Sequence, residues 1–291
     1  MRKIILLFVL CSTFTCVQAR TVELATSYVG ASHFNQAQAT FTVAPTLNSL
    51  TGVEVKWVKE DAFKHPIFSM SAPLSLELEM LKFALRPFYY FENSSANPAF
   101  QNAKAFGING QLRVTLNNDE VNEMYTHAFL NAAFARQKGT VFYENDPAEN
   151  RYYNEAAFSL GISQTLYNAF GFDLEGAVFQ YPDGVSEVAG LRSIMNQQEL
   201  APIQTLDVVH ALPKYAIGTR LTRLWADNGS TLYASYRYGE YHTADSEHSI
   251  MVGNSFIVAD RISVDFAYNH VLTVHNQNRR DIGYIRLSTY F

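Results

Sequence analysis

Apolar and polar residues alternate at period two over segments of about ten residues, and this limits the chain more than any other feature. Only a strand with an apolar medium on one face and a polar one on the other requires such a pattern. Ile262, Val264, Phe266 and Tyr268 share one face, and Ser263, Asp265, Ala267 and Asn269 share the other. In the last segment Gly283, Ile285, Leu287, Thr289 and Phe291 oppose Tyr284, Arg286, Ser288 and Tyr290, with the charge confined to the second set. Leu232, Ala234, Tyr236 and Tyr238 alternate with Tyr233, Ser235, Arg237 and Gly239, and Phe172, Leu174 and Val178 stand against Asp173 and Glu175.

The Ala-Asp-Asn-Gly stretch at 226–229 reads as a hairpin turn. Closing the hairpin there sets Arg220 opposite Ser235 and Gly218 opposite Arg237, so the two polar faces coincide. Counting back from the C-terminus, short turns are predicted at 258–260, 226–229, 167–169 and 117–120. Longer connections fall between them, at 274–280, 241–247, 184–212, 137–150 and 92–101. Sorting short turns to one end and long loops to the other is a property of barrels that cross a membrane, and a soluble sandwich has no reason to show it.

The first hundred residues carry strands at 22–31, 40–47, 53–61, 67–79 and 82–91, for fourteen in all. Merging elements there gives twelve. Pro45, Pro73 and Pro87 fall within these segments and must occupy bulges or strand ends in a sheet without edges. The expected fold is therefore all-β, an antiparallel up-and-down transmembrane barrel.

Arg2 and Lys3, the apolar run 4–10, and Val17-Gln18-Ala19 form a signal-peptide pattern, so residues 1–19 are predicted to be removed and 20–291 to form the barrel. Cleavage removes both cysteines, Cys11 and Cys16, and with them any disulfide or thiolate chemistry. It also makes the chain more negative than its net −5, which argues against nucleic acid as a partner. No later run approaches the roughly 20 apolar residues of a membrane-spanning helix. Aromatics reach 14 %, with 21 Phe and 17 Tyr, which suits a barrel with interfacial girdles and suits a secreted β-sandwich or propeller almost as well.

With its cleavable leader, paired alternating segments and final Gly283-Tyr284-Ile285-Arg286-Leu287-Ser288-Thr289-Tyr290-Phe291, the sequence resembles the bacterial outer-membrane β-barrel class, porins included. The resemblance implies an outer-membrane location, contact with lipid and lipopolysaccharide, and an insertion signal read by the barrel-assembly machinery. Gly283, Ile285, Leu287 and Phe291 match that signal's outward pattern, whereas Thr289 stands where an aromatic is frequent.

If the polar faces line a lumen, its charges are Glu54, Lys56, Glu77, Glu79, Lys82, Arg86, Arg113, Asp173, Glu175, Arg220, Arg237, Asp265 and Arg286. Such a wall suits a passive channel for small polar solutes, with Arg220 and Arg237 as an anion-attracting constriction. The alternative is that opposite charges pair and close the lumen, which leaves a structural or surface-binding barrel. Within 184–212, Ser186, Val188, Leu191, Ile194 and Met195 are spaced as on a short amphipathic helix before Pro202, either a lid at the mouth or a helix on the rim. The 241–248 loop gathers His242, Asp245, Glu247 and His248, the only stretch that suggests a divalent ion or a hydrolytic pair, though no motif is completed. Asn269 and His270 point to opposite faces and cannot act together. No cofactor or metal site is expected.

Overall fold

Each strand finds its backbone partner in the strand next to it in sequence, and the last strand pairs with the first. The computed structural model describes residues 21–61, 65–93, 103–141, 149–167, 169–184, 193–195, 200–201, 206, 211–225, 229–242, 244–259, 261–274 and 279–291; the predicted signal segment lies outside them. The strands are β1 (Thr21–Ala31), β2 (Phe34–Thr46), β3 (Ser49–Glu60), β4 (Ile67–Ser71), β5 (Leu74–Leu78), β6 (Leu81–Asn93), β7 (Ala103–Asp119), β8 (Met124–Val141), β9 (Glu149–Leu166), β10 (Phe170–Gln180), β11 (Pro213–Leu224), β12 (Thr231–Tyr241), β13 (Glu247–Ala259), β14 (Ile262–Thr273) and β15 (Arg279–Tyr290). All pairings are antiparallel. The ring closes where β1 meets β15, from Glu23↔Tyr290 to Gly30↔Gly283, and Val22 and Phe291 exchange backbone bonds of 3.1 and 2.9 Å.

β4 and β5 are two halves of one stave, because both pair with β3 on one side and β6 on the other. The barrel thus has fourteen staves, and the twelve-strand alternative falls. The prolines sit where a proline can be tolerated. Pro45 lies in the register shift between Val43 and Thr46, and Pro73 lies in the break between the half-strands. Pro87 faces that break. Gly52 N donates to Pro73 O (3.0 Å) and Ala72 N to Pro87 O (3.0 Å), so the sheet stays joined across the gap.

β2 begins at Phe34 rather than at residue 40, because its outward Ala37 and Ala39 are too small to announce an apolar face. β7 runs to Asp119, which moves the predicted 117–120 turn to 120–123, where Glu123 takes a positive φ of 52° and Asn122 N donates to Asp119 Oδ1 (3.0 Å). The hairpin of β11 and β12 pairs Arg220 with Ser235 and Gly218 with Arg237, as the turn position predicts.

Connections at one end of the barrel, the turn end, are 47–48, 79–80, 120–123, 167–169, 225–230 and 260–261. At the other, the loop end, they include 61–66, 94–102, 142–148 and 181–212, with 32–33 as a short exception. The outer face is an apolar band: Leu24, Phe83, Leu160, Leu174, Leu221 and Ile285 are each between 43 and 64 % exposed. A continuous apolar belt of this kind belongs in hydrocarbon, where a closed ring also leaves no backbone group unpaired.

Candidate functional site

The inner face changes character along the barrel axis. Toward the turn end it is charged. Arg86 pairs with Glu54, its Nε donates to Ser71 Oγ (3.2 Å), and Ser71 Oγ donates to Glu54 Oε1 (3.2 Å). Arg286 Nη2 donates to Glu23 Oε1 (2.8 Å) across the β1–β15 seam, and Thr42 Oγ1 to Glu23 Oε2 (3.2 Å). Tyr233 donates to Asp265 Oδ1 (2.8 Å), and the Arg220 guanidinium lies 4.1 Å from the centroid of the Tyr233 ring. Lys82 and Glu77 pair at 2.9 Å near the turns. Glu79 lies in the exposed 79–80 turn and not in the lumen wall, because β5 ends at Leu78. His127, which the sequence leaves unassigned, faces inward with its Nδ1 3.1 Å from Thr115 Oγ1.

Two cavities occupy this charged half. One, of about 210 Å³, is lined by Arg113, Asp173, Glu175, Arg220, Gln111 and Ser163 among others. The second, of about 250 Å³, is lined by Arg220, Asp265, Arg286, Tyr284, Gln36 and Leu206 among others. Arg220 is common to both. Arg237 is not in either lining: it is 1 % exposed and donates to Tyr241 OH (3.0 Å), which donates to Glu247 Oε2 (3.2 Å), itself paired with Arg280. The two arginines sit on adjacent strands, but they do not form one constriction.

Tyr233 can lie across the wall because Gly253 has no side chain: a Cβ there would fall 2.3 Å from the ring. Gly253→Val is expected to dislodge the ring and its bond to Asp265, at the ~1–3 kcal/mol typical of overpacking. The urea midpoint of the folded barrel measures it, and an unchanged midpoint would count against this packing role.

Toward the loop end, beside the Arg237–Glu247–Arg280 cluster, much of the inner face turns small and apolar. Ala103, Ala105, Ala135, Ala157, Ala216 and Val271 have no exposed surface. Against them pack Ile194, Met195, Leu200 and Ala201 of the long 181–212 connection, which are at most 4 % exposed. Inward amides of the wall fix this segment. Gln137 Oε1 accepts from Ser193 Oγ (3.1 Å) and Ile194 N (3.0 Å), while Gln137 Nε2 donates to Tyr153 OH. Asn131 and Asn109 both donate through Nδ2 to Leu200 O, at 2.9 and 3.3 Å. Leu206 reaches the second cavity. Of the residues read as an amphipathic helix, Ile194 and Met195 lie inside the barrel mouth, while Ser186, Val188, Leu191 and Pro202 fall outside the described residues. At the root of the connection Tyr181 OH donates to Pro213 O (2.8 Å), and burial pushes its phenol well above the ordinary range, so it stays a donor.

The 241–248 loop does not assemble a site among its described residues. Glu247 faces inward to Arg280, whereas His248 faces outward, with Nδ1 2.7 Å from Tyr236 OH. His242 packs edge-on against Tyr181, with ring centroids 5.5 Å apart. Asn269 is buried and accepts from Ser249 Oγ (2.7 Å), while His270 faces outward to Asp281 (2.7 Å). Gly283, Ile285, Leu287 and Phe291 all lie on the outer face, and Ile285, Leu287 and Phe291 are 51, 46 and 70 % exposed.

By sequence, no family model and no curated protein matches the chain. By structure it is similar to CdiB from Acinetobacter baumannii (TM-score 0.52, 9 % identity), covering 93 % of this chain and 60 % of that one. It is also similar to OprB from Pseudomonas putida (TM-score 0.50, 6 % identity), covering 96 % of each. The chain has the fold of the bacterial outer-membrane barrels.

The seat of the inward segment is the part of this barrel that sequence reasoning passes over. A signal for it exists in β8, where Asn131, Ala133, Ala135 and Gln137 alternate on the inner face. A water-filled wall needs larger polar groups, so small residues framed by amides mark a surface another segment covers.

Proposed function

We propose that the chain is an outer-membrane channel for small polar solutes, held narrow at its loop end by the segment containing Ser193–Met195, Leu200 and Ala201. The observation that carries this reading is the pair of cavities on the charged wall that meet at Arg220 directly beneath that segment. Hydrated solutes need a polar wall with both donors and acceptors, and a wall of mixed sign predicts weak charge selectivity. The segment is displaceable. Burying an Ile, Met or Leu side chain contributes about 1.5–3 kcal/mol, while ordering each residue of a loop costs about 1–2 kcal/mol, so the two nearly balance and the hydrogen bonds from Gln137, Asn131 and Asn109 supply the margin that keeps the segment seated.

In this reading residues 1–19 direct export, Gly283, Ile285, Leu287 and Phe291 are read by the barrel-assembly machinery, and the apolar belt meets outer-membrane lipid and lipopolysaccharide. The test is conductance of the refolded protein in planar bilayers. Discrete events are expected, and their absence both in the wild type and in a variant with the segment released would sink the channel.

Arg220→Glu is expected to shift the permeability ratio toward cations by about fivefold, the factor that ~1 kcal/mol of Coulomb energy supplies in a watery lumen. The reversal potential across a KCl gradient reads it, and no shift would remove Arg220 from the permeation path.

A second reading, a barrel with a closed lumen that serves structure or surface binding, is favoured by the burial of Ile194, Met195, Leu200 and Ala201 against the inner wall. It predicts that releasing the segment leaves the bilayer silent.

A further inference from the structure

On the outer face, at the turn end of β9–β13, an apolar groove of about 540 Å³ is lined by Leu166, Phe170, Phe172, Leu221, Leu232 and Val252. Small Ala234 and Gly171 form part of its lining. Arg223 also lines it, one residue before the end of β11, with its guanidinium 5.6 Å from the centroid of the Phe170 ring. Its outward neighbours Leu221 and Leu232 are apolar, so this cation stands against a hydrocarbon-facing wall.

The depth of Arg223 is set by the aromatic residues beside it. Trp225 packs edge-on against Phe256 (5.5 Å), Phe256 stacks on Phe266 (5.5 Å), and Trp225 Nε1 donates to Asn254 Oδ1 (3.2 Å). Such aromatic belts mark the level of lipid headgroups. A guanidinium at that level presents a planar fork that suits a phosphate, and the groove beneath it suits an acyl chain.

We propose that this groove is a site for a phospholipid of the turn-end leaflet, with one acyl chain lying over Ala234 and the phosphate on Arg223. The inference concerns the outer face and stands whether or not the lumen conducts.

Native mass spectrometry of the delipidated, folded barrel titrated with phosphatidylglycerol tests it, with diacylglycerol as the probe lacking a phosphate. The expected result is a saturable phosphatidylglycerol adduct on the wild type, weakened about tenfold in Arg223→Gln, as loss of a charge-assisted contact requires. Ala234→Phe, which fills the groove, is expected to abolish it. Heat-modifiable mobility confirms that each variant is folded. Equal binding to wild type and Arg223→Gln, equal binding of diacylglycerol and phosphatidylglycerol, no adduct at all, or a second protein copy in place of lipid would each overturn the site.

Discussion

Leu200→Asp is expected to turn a narrow or silent barrel into one with a conductance several times that of the wild type, with the barrel itself still folded. Leu200 is 2 % exposed, its carbonyl is held by Asn131 and Asn109, and its neighbours are the alanines of the inner wall. A carboxylate placed there without a partner costs about 3–5 kcal/mol, more than the ~1.5–3 kcal/mol that burying the leucine contributes. The wall cannot yield, because its strands are joined around a closed ring, and so the segment has to leave. A shift of this size changes the seated population by more than about a hundredfold. Asn131→Leu combined with Gln137→Leu removes the polar latches without adding charge and is expected to act in the same direction, more weakly. Single-channel recording and protease access to the segment read the outcome together. If the segment becomes cleavable while conductance stays at the wild-type level, it is a covering over a wall closed by other means, and the channel reading fails.

Ile285→Arg is expected to destabilise the barrel by about 2–4 kcal/mol, the cost of a cation on the lipid face near the bilayer midplane. Ile285 stands at the centre of β15 and is 51 % exposed. In a water-soluble barrel, arginine at so open a position would be close to neutral. Val121, 92 % exposed in the 120–123 turn, is the control, and Val121→Arg should leave the urea midpoint in lipid unchanged. Equal midpoints for both variants would place the outer face in water and remove the membrane reading. The experiment also separates location from the insertion role of Ile285, since it is done on protein already folded in lipid.

Much of this structure was legible in local pattern. The Asp-Asn-Gly turn set Arg220 against Ser235, and alternation in β12, β14 and β15 put Arg286 and Asp265 on one face with Ile285 and Leu287 on the other. Two adjacent strands and a turn suffice for such inferences, because pleating fixes the faces and the turn fixes the register.

The candidate site is different. Arg220 and Arg237 looked alike on the polar face of one hairpin, yet one opens onto two cavities and the other is buried against Tyr241. Their difference comes from Tyr233, which lies against Arg220 within the hairpin, and from the Arg280–Glu247 pair, which β13 and β15 place beside Tyr241 and Arg237. The joining of β4 and β5 into one stave likewise depended on where Pro87 faces the Pro73 break.

By itself the sequence determined that the chain alternates, where the β11–β12 hairpin turns, and which side chains share the outer face, because each is settled within a strand or between neighbours. Only the tertiary structure decided that the ring closes at fourteen staves and that Ile194, Met195 and Leu200 fill its mouth. Both depend on contacts between residues far apart in the chain, where no periodicity records which segment a small, amide-framed wall will receive.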